Sequence, residues 1–586
     1  MLTEKRVRLV SLAIGVAAAL AGCASSAPRS NAKAVSVTEL ADRYVAAIIA
    51  LDPTITYFTG VPVPAHDRLA GNSAAAIAEF SAQEDALLKD LATIDEAALV
   101  GTPDWKTFVA MKEGLESDRG LRVCHQEGWS VSHMGGWQVT LPQTAEAQPV
   151  GTPLARKEAL TRWSGLEAYL DNDITNLRHG LEQGYAAPKS VVNRVLQQLD
   201  GILSASTEES PFYSPAARDD DAAFKREFAQ LLTDRINPAI RHYREFLANE
   251  YLPRARDTLA LSALPDGERC YAAQLRAQTT LTRSPREVYE LGQRTVAANE
   301  AHVAELGQRL FGTSDIKTII KKVDDAPANH FASEQALFDF SRSMLVEARE
   351  KSAALFATMP SQDAVVEPVP DYQRGSGVNA SYEPNPDASK PGVYRIALEE
   401  WKKQTQGAAE VTLVHETWPG HHLQIAFARS EQAAHVSAKL SFNAAYVEGW
   451  ARYAERLADE VGIYRTDYAR ISQRIWPARG MVVDPGIHLF GWSRKQAVDY
   501  LVASGRFNET TAEATVDRIA VMPAQLTAYD SGGLEIMALR AEAEKALGAR
   551  FDLREFHSQV LEHGMVPLPA LRTQVETWVR AKLSQR

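Results

Sequence analysis

Residues His415-Glu416-Thr417-Trp418-Pro419-Gly420-His421-His422 gather the side chains of a hydrolytic metal centre into eight positions. In a zinc-peptidase helix of the H-E-x-x-H kind, the second histidine follows the first by four residues. Both imidazoles then share one face, and the glutamate acts as general base. Here Pro419 holds that place, and the next two histidines stand six and seven residues after His415. On a regular helix of about 100° per residue, His421 lies about 240° round from His415. His422 returns to the face but stands about 10 Å further along the axis. Pro419 has no N–H and its ring clashes with the carbonyl four residues earlier, so a regular helical hydrogen bond cannot form there. Gly420 admits backbone angles closed to other residues. A bulge or kink that absorbs the two extra residues brings His421 to the second ligand position, with His422 as the alternative.

A catalytic zinc takes three protein ligands and leaves a fourth position to water. Glu448 stands 33 residues after His415 in the helical text "FNAAYVEGWARYAERLADEVG" (442–462). With His415 and His421 it completes a His₂Glu set, which favours zinc among divalent ions. A competing reading pairs Glu448 with Arg452 at i+4. Glu416 directly follows the first ligand, beside the water, where a general base belongs. Tyr446 and Trp450 flank Glu448 and pack its helix. A helix break carrying purely structural histidines is the alternative to a metal site.

These segments, "HETWPGHHLQ" and "AYVEGWARYAERL", together with "VVDPGIHLFGWSRKQAVDYL" (482–501), resemble a bacterial family known as domain of unknown function 885. "ALPDGERCYAAQLRAQTTLTRSPREVYELGQRTV" (263–296) also fits, so the resemblance runs over nearly the whole chain after its leader. It implies kinship with zinc metallopeptidases of the gluzincin kind and, through the family pattern H-E-x-x-P-G-H, favours His421 over His422. Dipeptidyl peptidase III carries a comparable lengthened motif. Peptide hydrolysis also needs a donor for the tetrahedral oxyanion. His488 in "DPGIHLFGW" and Tyr529 in "PAQLTAYDSGG" (523–533) are the candidates, and Arg479 is a candidate binder of a substrate carboxylate.

The elements that must position these groups are mostly helices. "VTELADRYVAAIIAL" (37–51) and "ARKEALTRWSGLEAYLDNDITNLRHGLEQGY" (155–185) place apolar residues at intervals of three and four. The clearest strand is "PGVYRIAL" (391–398), after a Pro/Asn/Gly-rich stretch. It is expected as an edge strand for an extended peptide. The fold class is therefore mainly α: a large helical metallopeptidase-like fold with a small β-sheet beside the active-site helix. Ser284-Pro285 marks a helix start. It suggests a helical half over 37–280 and a second over 281–586 that carries the metal site, the two sharing one core or not. The acidic run around Asp219, Asp220 and Asp221 reads as a helix N-terminus.

Lys5, Arg6 and Arg8, the apolar run "LVSLAIGVAAALA" (9–21) and "LAGC" (20–23) look like a bacterial lipoprotein signal. Cleavage after residue 22 and lipidation of Cys23 are expected, with 23–36 as a tether. Ala24 favours the outer membrane, the chain facing the periplasm. Cys124 and Cys270 remain, as a disulfide or as buried thiols. A net charge of −11 without a basic stripe counts against nucleic acid as a partner. The expectation is a one-zinc peptidase acting on short peptides. The alternative is a catalytically silent, metal-containing binding lipoprotein of the envelope.

Overall fold

Helical periodicity governs the chain from its first described element onward. The computed structural model describes residues 35–370, 380–385, 387, 389–430, 435–562 and 564–585. The expected lipoprotein signal, Cys23 and most of the expected tether lie outside them. Val37–Leu51 (α1) buries Leu40, Ala41, Tyr44 and Val45 on one stripe, as its spacing requires. The acidic run ends in an N-cap: Asp221 accepts hydrogen bonds from the amides of Ala223 and Phe224 at the start of Ala222–Leu231.

Further helices and a sheet position the site. Gly267–Thr279 (α2) is followed by Pro285–Phe311 (α3), which opens on a capping box of Ser284 and Glu287. The strands are Ala364–Pro368 (β1), Ala380–Glu383 (β2) and Gly392–Ile396 (β3). Next come Gln406–Glu416 (α4), His421–Ser430 (α5), Ala444–Glu460 (α6), Gly480–His488 (α7), Glu509–Val521 (α8) and Gln525–Leu547 (α9). The strand order is β1-β3-β2, with β3 parallel to β1 and antiparallel to β2. The segment expected as an edge strand is thus the central one, hydrogen-bonded on both sides. The architecture is mainly α, with one small sheet among the described residues. Among the described residues no helix is long and apolar enough to cross a membrane.

Val37–Arg586 forms one compact unit. A hydrophobic cluster spans the region around residue 280: Cys124, Trp129 and Tyr185 pack with Leu261, Tyr271 and Leu275 and with Met481 and Ala524. Cys124 and Cys270 are joined in a disulfide.

Helices α6 and α9 cross in close contact beneath the site. A Cβ on Gly449 would stand 2.5 Å from the Gly532 carbonyl carbon, and one on Gly532 would stand 1.8 Å from the Ala445 oxygen. Absence of side chains on both faces lets the two backbones touch, which a side chain at either position would prevent. Glu448 on α6 and Tyr529 on α9 are brought together by this contact.

Candidate metal centre

Helix α4 carries His415 and Glu416 in its last turn. Its start is fixed twice: Thr405 caps the Ala408 amide, and the buried Glu410 accepts bonds from the Arg465 and Thr466 amides and the Thr466 hydroxyl. The helix does not bulge or kink past Pro419, as the spacing suggested; it ends. Thr417 leaves helical geometry with φ −121° and ψ −103° and turns its hydroxyl onto the Leu413 carbonyl. The Trp418–Pro419 peptide is cis, and the Pro419 carbonyl accepts a bond from the Trp450 indole at 2.8 Å. Gly420 lies flat against the end of α4: a Cβ there would meet the carbonyl oxygens of His415 at 2.0 Å and Val414 at 2.3 Å. From that folded-back position α5 starts afresh at His421. Two short helices at an angle replace one helix with a defect, because Pro419 cannot continue the ladder and Gly420 alone tolerates the contact.

The break brings the His415 and His421 rings to 4.7 Å between centroids with planes at 87°. Both Nε2 atoms aim at one oxygen of Glu448, Oε2, at 3.4 Å from His415 and 3.3 Å from His421. The three donor atoms lie within 4.8 Å of one another. Glu448 Oε2 is buried and no hydrogen bond of ordinary geometry satisfies it. A buried carboxylate oxygen in that state is costly. Two imidazole nitrogens and a carboxylate oxygen are zinc donors. Ligands about 2.1 Å from one tetrahedral centre stand about 3.4 Å apart, so the residues present fit the ion.

His422 faces the other way. Its Nδ1 meets the Tyr382 hydroxyl on β2 at 2.7 Å, its Nε2 meets the Gln362 carbonyl at 3.1 Å, and its ring sits edge-on to Trp418. Burial pushes its pKa down to about 4, although the Gln362 carbonyl pulls the other way. It ties the start of α5 to the sheet.

Behind His415 stands a residue that the sequence reading passed over. Glu455 Oε1 accepts from His415 Nδ1 at 2.8 Å and is itself held by Arg452 at 2.7 Å. Arg452 therefore pairs with Glu455, and with Asp530 at 3.7 Å, not with Glu448. Glu455 follows Glu448 by seven residues, two helical turns on the same face, and that spacing was the available signal. Burial disfavours charge on His415, yet Glu448, Glu455 and Glu416 together push its pKa up to about 10. Burial likewise opposes ionisation of Glu448, but the two histidines hold its carboxyl well below the usual range. Three carboxylates thus favour positive charge at His415.

Among the described residues, no hydrogen bond or ion pair occupies the Glu416 carboxylate, which acts through space on His415 and on Tyr394 of β3. Tyr529 stacks on His415 at 6.3 Å and 22°, and burial, then the charge of Glu448, raises its pKa. His488 is not brought to the cluster. It is fully buried, its Nε2 bonds the Ile519 carbonyl at 2.9 Å, and its ring lies against Tyr271. Arg479 is not free for a substrate: it is 3% exposed, bound to the Ile475 carbonyl and paired with Glu300 at 2.7 Å. Both lie in the core: Arg479 is held by its partners, whereas His488 bonds through Nε2 and, among the described residues, its Nδ1 has no partner.

The pattern of a family described as "bacterial protein of unknown function (DUF885)" matches residues 53–575. No curated protein matches the chain. Among solved structures, one described as a candidate lipoprotein from Colwellia psychrerythraea superposes with a TM-score of 0.81 at 22% identity. The match covers 93% of this chain and 100% of that one. A second, described as a candidate lipoprotein of unknown function from Shewanella oneidensis, gives 0.77 at 19% identity, covering 92% and 99%. At these identities the likeness speaks for the fold.

Proposed function

This chain belongs to the DUF885 family of bacterial proteins, and from that premise we propose that it is a zinc-dependent peptidase of the cell envelope. His415, His421 and Glu448 would hold the ion, and Glu416 would serve as general base. The observation that carries the reading is the convergence of two imidazole nitrogens on the otherwise unsatisfied Glu448 oxygen, beside an unengaged glutamate.

Bound there, zinc would polarise a scissile carbonyl and make water acidic near neutral pH. Glu416 takes the proton of the attacking water and returns it to the leaving amine. Glu455 accepts the His415 Nδ1 proton, which fixes one tautomer and turns the Nε2 lone pair toward the cluster. Tyr529, kept protonated by its raised pKa, offers an O–H to the developing oxyanion. Short peptides are the proposed substrates. Lipidation at Cys23 would tether the enzyme to the membrane, in keeping with the description of both solved relatives as candidate lipoproteins.

The test is metal analysis alongside turnover of a mixed peptide library. Wild type and Glu416→Gln should each carry one zinc, with turnover falling by roughly 10²–10⁴-fold in the variant. His421→Ala should lose the metal and His422→Ala should keep it. A wild-type protein that binds no divalent ion would overturn the reading. Metal in both proteins with turnover in neither would leave a metal-containing binding protein.

A further inference from the structure

We infer that Arg518 selects the substrate by receiving a carboxylate of the bound peptide close to the bond that is cut. This rests on the peptidase reading above and adds to it a class of substrate. Arg518 lies in the last turn of α8 and is half-buried. One amino group of its guanidinium donates to Gln525 Oε1 at 2.6 Å and to the Tyr529 hydroxyl at 3.3 Å. Gln525 and Tyr529 stand one turn apart at the start of α9, so the guanidinium is held from one side by a fixed helix face.

The rest of that group is unspent. Among the described residues, no carboxylate comes within ion-pairing distance of it, and its Nε and second amino group donate to nothing. Its neighbours are differently placed. Asp517 is engaged by Arg194 and Arg494, Arg479 by Glu300, and Arg452 by Glu455 and Asp530. Asp484 feels the charge of Arg518, but its oxygens are already taken by the Tyr271 hydroxyl and the Ala524 amide.

Tyr529 links this cation to the metal centre, since its ring stacks on His415. The free guanidinium is thus one aromatic ring away from a proposed zinc ligand. Its open edge presents parallel N–H donors that match a carboxylate bidentately, and partial burial strengthens the pairing. An extended peptide covers about 3.3–3.6 Å per residue. A carboxylate that reaches Arg518 therefore belongs to a residue within about three positions of the scissile bond. It is either the free C-terminus of a short peptide or an acidic side chain.

Calorimetric binding to the Glu416→Gln protein separates these sources without relying on turnover. Three peptides serve: an alanine tripeptide with a free carboxylate, its C-terminal amide, and an amide in which one alanine is glutamate. A carboxylate-bearing peptide should bind about 10–100-fold more tightly than the plain amide. The free-acid arm identifies a C-terminal carboxylate and the glutamate arm a side chain. Adding Arg518→Met should erase the difference while zinc content and circular dichroism stay the same; Arg518→Lys, which keeps charge but not the fork, should retain part of it. Equal binding of all three peptides, or a preference that survives Arg518→Met, overturns the inference. An Arg518-dependent preference in a wild type that cleaves nothing leaves the carboxylate site standing and sinks the peptidase reading. Cleavage of all three peptides by the wild type with one kcat/KM does the reverse.

Discussion

Glu448 Oε2 is the atom on which the site converges, and its setting depends on a residue that touches neither of its histidine partners' Nε2 atoms. Glu455 fixes the His415 ring from behind, and Arg452 fixes Glu455. In Glu455→Gln the carboxylate that accepts the Nδ1 proton becomes an amide, so the tautomer is no longer enforced. Zinc affinity, measured by competition with a chelator, should fall about 10–100-fold with the fold intact. Unchanged affinity would remove Glu455 from the site. The residue types gathered here were legible in the sequence, which kept His422 open as the alternative to His421. The orientation of His422 was not, because adjacent helical residues differ by about 100° in direction and only the helix restart decides which one faces inward.

At the level of elements, two devices position the donors: the break at Thr417–Gly420 and the contact of α6 with α9. The proline and glycine announced a disturbance, but its form depends on what receives the chain afterwards. The Pro419 carbonyl is taken by Trp450, and Gly420 rests on the end of α4. The α6–α9 contact was not foreseen, since Gly449 and Gly532 lie 83 residues apart and nothing local pairs them. Gly532→Ala would set a methyl group 1.8 Å from the Ala445 oxygen and force the helices apart. A loss of about 1–3 kcal/mol in denaturant unfolding is expected, together with weaker zinc binding as Glu448 is displaced. Gly120→Ala, at an exposed position of the helix Asp104–Leu121, is the control: its Cβ meets nothing within 4 Å, so stability should be unchanged or rise by up to about 1 kcal/mol. Equal effects of the two substitutions would refute the role given to the crossing.

Over the whole molecule, long-range ties join the segments before and after residue 280. The disulfide closes a span of 146 residues, and the buried Asp484 on α7 accepts from Tyr271 on α2 and from the Ala524 amide ahead of α9. Burial drives the Asp484 pKa from 3.8 up to about 7, against the pull of those donors. The folded protein therefore holds this proton more tightly than the unfolded chain. The stabilisation is complete below pH 3.8 and is lost as pH rises through about 7. In unfolding followed against pH, Asp484→Asn, which cannot ionise, should gain on the wild type across that window, by on the order of 1 kcal/mol or more. Parallel curves for the two proteins would show that Asp484 titrates alike folded and unfolded.

The sequence by itself determined the fold class, through apolar residues repeating with the helical period, and the donor types, because His, Glu and a helix-breaking Pro-Gly pair act locally. Tertiary structure alone decided which polar groups remain free for function. His488 and Arg479 were candidates for catalysis and for binding a substrate carboxylate, yet each is buried on partners far along the chain. Arg518 and Glu455 drew no notice and lie beside the cluster. Whether a buried polar side chain is satisfied depends on what folding packs against it, and residues tens to hundreds of positions away supply that packing.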